Sequence, residues 1–204
     1  MTDANMTDSL SKRYGSQGFT LTEMIMVVAL VAIVSAIAIP AWQSMKRNSD
    51  LKSAAYEIMA AIQWAKSEAA KRNVCIGINF NSDVCRSAGQ GDCYEIFRDD
   101  ATGGGIACDR QLTASERALP SGQTKILRSG NFGARAWMTT NYGQNAIDIT
   151  ARGLVRAAGL PNGSISLRAV QRSNGNCYNL TISPTAGLRL NPSRWNGASC
   201  PVNP

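Results

Sequence analysis

An almost uninterrupted apolar run near the N-terminus constrains the fold of this chain more than any other feature. It extends from Phe19 to Ile39, is followed by Pro40, and contains a single charged residue, Glu23. Its length matches the roughly 20 apolar residues that a membrane-spanning helix needs. An ionised carboxylate at the centre of such a helix costs roughly 2.5–3.5 kcal/mol on insertion scales. We therefore expect the run to have a second role, in which the Glu23 carboxylate meets a partner.

Two conventional interpretations of the run leave part of it unexplained. A secretory signal peptide would use Lys12 and Arg13 as its basic segment and Ala36-Ile37-Ala38 as its small-residue cleavage site. Its apolar segment would be about 7–15 residues long, whereas this run is longer and contains Glu23. A plain membrane anchor accounts for the length and gives the carboxylate no purpose. Both interpretations remain alternatives.

The residues at the start of the run support a third interpretation. The block Gly18-Phe19-Thr20-Leu21-Thr22-Glu23 resembles the prepilin peptidase site of type IV prepilins, in which a glycine is followed by Phe-Thr-Leu-x-Glu. The resemblance implies that residues 1–18 form a leader, that prepilin peptidase cleaves between Gly18 and Phe19, and that the new amine of Phe19 is methylated. It also implies that Glu23 pairs with the N-terminal amine of a neighbouring filament subunit, which would neutralise a charge that is costly to bury alone.

A helical pattern continues beyond Pro40. Apolar and small residues recur at i, i+3, i+4 and i+7 spacing, at Leu51, Ala54, Ala55, Ile58, Ala61, Ile62, Ala65 and Ala69. We therefore predict one helix from Phe19 to Arg72, with an anchor and assembly half over 19–40 and an amphipathic half over 41–72. Because proline removes a backbone hydrogen bond, Pro40 should kink this helix.

Residues 73–204 have the pattern of a β-rich head. Clusters of Gly, Asn and Ser separate short strand-like runs, which are Val74–Phe80, Tyr94–Phe97, Thr124–Leu127, Ala146–Thr150, Ser164–Val170 and Cys177–Ser183. Asn174-Gly175, between the last two, predicts a hairpin turn. The stretch from Ser82 to Gly122 is rich in Gly, Ser and Asp and predicts long loops held by cysteines. The expected fold class is α+β, with a kinked helix packed on this head.

The net charge of +7 is concentrated at the C-terminal end. Between Phe19 and Ile126 there are eleven bases and eleven acids, whereas from Leu127 onward the single acid, Asp148, is opposed by eight arginines. This asymmetry indicates a polyanion or an acidic protein surface as partner, or else a solvated basic face. The candidates for contacting DNA are Arg168, Arg172, Arg189 and Arg194. Trp195, beside the last of them, either stacks on a base or packs near a disulfide.

All six cysteines follow the apolar run, at Cys75, Cys85, Cys93, Cys108, Cys177 and Cys200. An even number outside the cytoplasm predicts disulfides, and six cysteines allow 15 pairings. We favour a bond between Cys177 and Cys200. Closing a loop of this size would stabilise the folded state by about 3 kcal/mol in the chain-entropy model. The chain has no histidine and no C-x2-C pair, which argues against a zinc site.

An enzymatic role is not expected. Without histidine the chain has no Ser-His-Asp or Cys-His arrangement. Gly103-Gly104-Gly105 lacks the Lys-Ser/Thr that completes a phosphate-binding loop, and it predicts a flexible turn. Asp99-Asp100 is the one pair of adjacent acids, which is typical of a solvated loop. We therefore predict no catalytic residues, no cofactor and no bound metal.

The combination of anchor, amphipathic helix and β-rich head is similar to the FimT/GspH family of minor pilins and pseudopilins. Leu51-Lys52-Ser53-Ala54-Ala55 and Ala65-Lys66-Ser67-Glu68-Ala69 resemble the family's L-x-S-A and A-R-S-E-A helix stretches, and Ile182–Leu190 resembles its C-terminal strand. FimT proteins bind DNA through a C-terminal Gly-Arg-x-Arg motif. The corresponding segment here is Gly187-Leu188-Arg189-Leu190, which has apolar residues at both arginine positions of the motif.

The resemblance implies a minor type IV pilin that primes or caps pilus assembly, with roles in pilus biogenesis and twitching. Two alternatives stay open, a DNA-binding pilin for natural transformation and a GspH-like pseudopilin of type II secretion. The implied partners are other major and minor pilins, prepilin peptidase, the inner membrane and, for the DNA-binding alternative, double-stranded DNA. The implied location is the inner membrane, in a single pass with a periplasmic head, and then a pilus or pseudopilus at the cell surface.

Overall fold

In the part of the chain that the structure describes, one long helix is followed by nine short strands. The computed structural model describes residues 18–81, 92–100, 107–113, 117, 125–133, 135–158, 163–169, 175–197 and 200–201. Helix α1 covers Leu21–Arg72, and the strands are β1 (Cys75–Phe80), β2 (Asp92–Asp99), β3 (Ile126–Gly133), β4 (Trp137–Thr140), β5 (Gly143–Ile149), β6 (Val155–Ala158), β7 (Gly163–Arg168), β8 (Asn176–Ile182) and β9 (Leu188–Arg194). The predicted α+β class and long N-terminal helix are confirmed.

Helix α1 begins at Leu21, two residues later than predicted, because Thr20 caps it. The Thr20 Oγ1 atom accepts a hydrogen bond from the Glu23 N–H at 3.2 Å, which satisfies one of the free donors of the first turn. The helix includes Pro40 and ends at Arg72, as predicted. Asn73 follows with a φ of 55°, a left-handed conformation that asparagine tolerates and that commonly ends helices. A kink at Pro40 stays a prediction.

The chain divides into two compact units within this helix, the first ending at Gln43 and the second beginning at Ser44. The described part of the first unit consists of the helix start and the residues before it. The second unit holds the remainder of the helix and all of the described strands.

The strands form two antiparallel sheets, sheet A and sheet B. Sheet A has the strand order β3-β2-β1-β5-β6, and sheet B has the order β4-β7-β8-β9. The six predicted strands correspond to β1, β2, β3, β5, β7 and β8, with ends displaced by up to three residues except at β3, which extends to Gly133 where the prediction ended at Leu127. Strands β7 and β8 pair antiparallel, as the predicted hairpin requires, although Asn174 lies outside the described residues. Within the stretch from Ser82 to Gly122, where long loops were predicted around the strand Tyr94–Phe97, that strand is confirmed and is longer than predicted, Asp92–Asp99, between β1 and β3 in sheet A.

Three strands differ from the sequence-based expectation. Strands β4 and β6 are four residues long, too short to show a clear alternation of apolar and polar residues. The expected C-terminal strand over Ile182–Leu190 instead contains the end of β8, a turn and the start of β9. That turn is held by the Ser183 hydroxyl, which accepts a hydrogen bond from the Gly187 N–H at 2.9 Å, and Ala186 within it has a φ of 53°.

The amphipathic half of α1 supplies one side of a single apolar core. All of its predicted inward residues are completely buried, namely Leu51, Ala54, Ala55, Ile58, Ala61, Ile62, Ala65 and Ala69. They pack in one cluster with the inward residues of both sheets, including Ile78 and Ile147 from sheet A and Leu167 and Leu180 from sheet B. Full burial of one such isoleucine or leucine contributes roughly 1.5–3 kcal/mol. This stripe therefore holds helix and sheets together.

Two glycines of sheet A lie under aromatic rings. Gly77 is directly opposite Phe97, and Gly130 is directly opposite Tyr94. A Cβ atom at either glycine would overlap the facing ring, and real Cβ atoms do not approach other atoms so closely. Glycine is therefore required at both positions by the space that the rings occupy.

Disulfides fasten a further segment to each of the two sheets. Cys75 on β1 is bonded to Cys108, with the Cα atoms 5.5 Å apart, and Cys177 on β8 is bonded to Cys200, with the Cα atoms 6.0 Å apart. The second bond is the pairing favoured from the sequence. Cys93 is also disulfide-bonded, and Cys85 lies outside the described residues.

Candidate functional site

The proposed peptidase junction lies just before the helix. Gly18, Phe19 and Thr20 precede α1 and are exposed. Among the described residues, no heavy atom beyond the immediate neighbours lies within 4 Å of a Cβ built on Gly18. The described residues therefore leave the bond between Gly18 and Phe19 accessible, as cleavage there requires.

The Glu23 carboxylate lies in the first turn of α1 and is exposed. With Thr20 it forms the T-x-x-E spacing of a capping box, and a negative charge is favourable at a helix N-terminus. Among the described residues no side chain pairs with this carboxylate. The capping hydrogen bond of this turn is made by the Thr20 hydroxyl and not by the Glu23 carboxylate, and pairing of Glu23 with a neighbouring subunit's amine stays a prediction.

The start of α1 presents apolar side chains on all sides. Those between Phe19 and Trp42 are 51% to 79% exposed, and they are Phe19, Leu21, Met24, Ile25, Met26, Val27, Val28, Leu30, Val31, Ile33, Val34, Ile37, Ile39 and Trp42. In the described part of the chain, α1 is the one helix long and apolar enough to cross a membrane, with a mean hydropathy of 2.7 in its most apolar window. Apolar surface of this extent is stable in lipid or against other proteins.

The candidate DNA-binding arginines do not form one cluster. Arg168 on β7 and Arg189 on β9 lie on the outer face of sheet B, at opposite ends of the strands. At about 3.3 Å per residue, the four-residue offset between them corresponds to roughly 13 Å along the strands. Arg194 has the opposite strand parity and pairs in register with Asn176, so it lies on the other face. Arg172 is outside the described residues.

The Arg168 guanidinium lies over two tryptophan rings, and the three residues are called the Trp137–Arg168–Trp195 stack below. The guanidinium carbon lies 4.6 Å from the ring centre of Trp137 and 4.9 Å from that of Trp195, well within the range of a cation–π contact. Trp137 reaches this position because it is the register partner of Arg168 on the neighbouring strand. Trp195 reaches it from just beyond β9, where its N–H donates to the Gly175 carbonyl at 2.9 Å.

The sequence identified two members of this stack and missed Trp137. Trp137 is 47% exposed and lies on β4, which the sequence pattern did not predict. The signal that was available is an isolated tryptophan followed by the β-branched pair Thr139-Thr140 in the short segment Ala136-Trp137-Met138-Thr139-Thr140. Its pairing with Arg168 depends on strand register, which no local pattern in the sequence specifies.

Two buried carboxyl groups lie close together on sheet A. Asp99 accepts hydrogen bonds from the N–H groups of Cys108, at 3.0 Å, and Arg110, at 2.9 Å, and so holds the segment that carries them in place. Asp148 is completely buried, and in the described part of the chain no N–H or hydroxyl donor reaches its oxygens, so a proton shared with the Asp99 carboxyl is its one hydrogen bond there. Burial, and then the nearby Asp99 charge, raise the pKa of Asp148 to about 8.

The acids at this end of sheet A are engaged in contacts within the protein. An open cavity of about 530 Å³ lies beside Asp99, Asp100 and the Cys75–Cys108 bond. Asp100 is already paired with Arg98 and with the buried ammonium of Lys125, the latter at 3.3 Å. Within the described ranges, no group of three or more His, Cys, Asp or Glu residues is arranged to hold a metal ion.

Comparison with known proteins identifies two sequence families. The profile of the type II transport protein GspH matches residues 54–186, and that of the prokaryotic N-terminal methylation motif matches residues 13–39. No curated protein matches the chain.

Similar solved structures are those of minor pilins and pseudopilins. The type IV minor pilin FimU of Pseudomonas aeruginosa is 20% identical, with a TM-score of 0.49, over 77% of this chain and 96% of FimU. The minor pseudopilin EpsH of the Vibrio cholerae type 2 secretion system is 14% identical, with a TM-score of 0.42, over 69% of this chain and 95% of EpsH.

The GspH profile spans more than half of the chain, from the middle of α1 to the turn before β9, and the methylation motif covers the junction and the apolar helix start. The family consists of structural pilins and pseudopilins, which agrees with the expectation that the chain is not an enzyme. The chain belongs to the GspH family, as a pilin-like subunit with a prepilin N-methylation motif.

Proposed function

We propose that this chain is a minor type IV pilin, a structural subunit that primes or caps assembly of a pilus. The observation that carries the proposal is the combination of the methylation motif with an apolar helix whose side chains are exposed on all sides. Such a helix is held by the inner membrane before assembly and by neighbouring helices afterwards. The head, stabilised by its own core and disulfides, then stays outside the membrane.

In this proposal each N-terminal residue has a distinct task. Prepilin peptidase cleaves after Gly18, and the freed amine of Phe19 becomes methylated. The Glu23 carboxylate then pairs with the N-terminal amine of an adjacent subunit, because an ion pair costs less in a low-dielectric filament core than two separate charges. Pro40 introduces the bend that leads from the assembly half to the amphipathic half of the helix.

A second candidate function is that of a GspH-like pseudopilin in type II secretion. It is favoured by the family profile, whose description is that of a type II transport protein. Both candidates require the same processing and the same helix. They differ in the assembly that the subunit enters, a pilus or a type II secretion pseudopilus.

DNA binding by the arginine-rich end stays a third prediction. The excess of arginine after Leu127 supports it, since phosphate contacts depend on positive charge. The separation of Arg168, Arg189 and Arg194 on sheet B counts against a shared phosphate-binding site.

Deletion of the gene in its host tests the two leading candidates. For a minor pilin we expect fewer surface pili and reduced twitching, with secretion of type II substrates unchanged. The converse result would favour the pseudopilin. Complementation with the wild-type gene should restore pili. A Glu23→Ala variant should be expressed and cleaved and yet fail to restore pili, which would show that the defect lies in assembly. A deletion that changes neither pili nor secretion contradicts both candidates.

A further inference from the structure

The outer face of sheet B carries an arginine, Arg168, that has no counter-charge among the residues that the structure describes. Arg168 makes no ion pair among the described residues, and its buried Nε atom has no hydrogen-bond partner there. The one acid after Leu127, Asp148, is completely buried in sheet A. The C-terminal part of the chain therefore has no Asp or Glu side chain for the outer face of sheet B.

The two indole rings determine how this arginine can be approached. The guanidinium carbon lies over both rings, 4.6 Å from the Trp137 ring centre and 4.9 Å from the Trp195 ring centre. Because the guanidinium carbon lies over both rings and the Nε atom is buried, the groups left for a ligand are the terminal N–H donors, which bind a carboxylate with two parallel hydrogen bonds. The stack is held on the protein by the β4–β7 pairing and, through the tail, by the Cys177–Cys200 disulfide, so little ordering is needed on binding.

We propose that Trp137, Arg168 and Trp195 form a docking site for an acidic segment of a neighbouring filament subunit, with a Glu or Asp carboxylate on the Arg168 guanidinium. Tryptophan and arginine are the residues most enriched at the energetic centres of protein interfaces. Trp137 is 47% exposed and supplies apolar area beside the charge. This inference rests on the proposed function, because it takes the partner to be a subunit of the same filament.

The arrangement fits a protein segment better than a nucleic acid. Nucleic-acid affinity comes from several phosphate contacts along a strand, and here Arg189 is roughly 13 Å further along the strands while Arg194 lies on the other face. One face of each indole ring is already occupied by Arg168, which leaves less aromatic surface for stacking bases.

Binding to the full chain in detergent tests the chemistry. The probes are an acetylated, amidated tetraglutamate peptide, inorganic phosphate and a single-stranded oligonucleotide, each followed by tryptophan fluorescence. We expect the peptide to bind, and we expect Arg168→Gln to weaken it by about tenfold, the loss of about 1.4 kcal/mol. Arg168→Lys and Trp137→Leu should also weaken it, whereas Arg189→Gln, with the same change of charge, should leave its affinity within about twofold.

A photo-crosslinking residue at Thr139 tests the partner. Thr139 is exposed on β4, on the same face as Trp137. In filaments from the host we expect a crosslink to another pilin, which is lost with Arg168→Gln. In the binding experiment, the inference is overturned if the peptide does not bind, if Arg189→Gln weakens peptide binding as much as Arg168→Gln does, or if phosphate or the oligonucleotide binds more tightly than the peptide. In the crosslinking experiment, it is overturned if the crosslink is absent or is unaffected by Arg168→Gln. Failure of the chain to be cleaved or to enter filaments instead contradicts the proposed function.

Discussion

Asp148 is the residue whose chemistry depends most on the fold. Its carboxyl is completely buried, and burial followed by the Asp99 charge raises its pKa from 3.8 to about 8. The folded protein therefore holds a proton between these two pH values that the unfolded chain has released. The stabilisation that this bound proton contributes is fully present below the pKa of Asp148 in the unfolded chain and is lost as the pH rises through its pKa in the folded protein. Between the two pKa values the free energy of unfolding falls by up to about 1.4 kcal/mol per pH unit.

Replacing Asp148 with asparagine should remove this dependence. Between about pH 5 and about pH 8, we expect the free energy of unfolding to change less for the Asp148→Asn variant than for the wild type. This window lies between the pKa values of Asp148 in the unfolded and folded states. The measurement is urea unfolding of the full chain in detergent, with Asp50→Asn as a control at a partly exposed helix position. Equal pH dependence of Asp148→Asn and wild type would contradict the assignment.

A methyl group added at Gly77 tests how closely the Phe97 ring packs on sheet A. An added methyl group would overlap the Phe97 ring that lies directly across from it. We expect Gly77→Ala to destabilise the head by about 1–3 kcal/mol, the usual cost of overpacking, in thermal or urea unfolding. The double variant with Phe97→Leu should recover part of this loss, because it removes the overlapping atoms. A Gly77→Ala variant as stable as wild type would show that the ring is free to move.

Among the elements, α1 was the most predictable from sequence. Its buried stripe repeats with helical spacing, so all eight inward positions follow from the amino-acid sequence alone. Strands β4 and β6 carry four residues each and no comparable repeat. The junction around Gly18 was recognisable because its residues are contiguous in the sequence. The Trp137–Arg168–Trp195 stack joins three distant segments by strand register and a disulfide-held tail, which sequence spacing does not specify.

The C-terminal tail depends on one covalent bond. Cys177 and Cys200, separated by 23 residues, join strand β8 to the tail, and the Asn179 side-chain amide donates to the Cys200 carbonyl at 3.0 Å. Replacing both cysteines with alanine should lower the free energy of unfolding by about 3 kcal/mol in the chain-entropy model, as measured in urea.

Loss of this bond should also be visible at the stack. Once the tail is released, Trp195 should lose its contact with Arg168, and its fluorescence should shift toward that of solvent-exposed tryptophan. Trp195→Phe in the same background identifies its share of the signal. An unchanged spectrum and unchanged stability would mean that strand pairing of β9 with β8 alone holds the tail.

For the whole molecule, two regions with opposite requirements are joined in one helix. The region up to Gln43 exposes its apolar side chains and needs lipid or other helices around it. The region from Ser44 buries its apolar stripe in a core of its own, and its charged outer surface suits an aqueous compartment. This division is what a subunit needs if it waits in a membrane and then enters a filament.

The central claim is that the chain is processed as a prepilin, and the mass of its N-terminal peptide tests it directly. The chain is purified from host membranes with and without prepilin peptidase, and the peptide is identified by mass spectrometry. We predict that it begins at Phe19 and carries one added methyl group, and that the leader is retained when the peptidase is absent. An N-terminus after Ala38, as a signal peptidase would produce, or a leader retained in the presence of the peptidase, would contradict the claim.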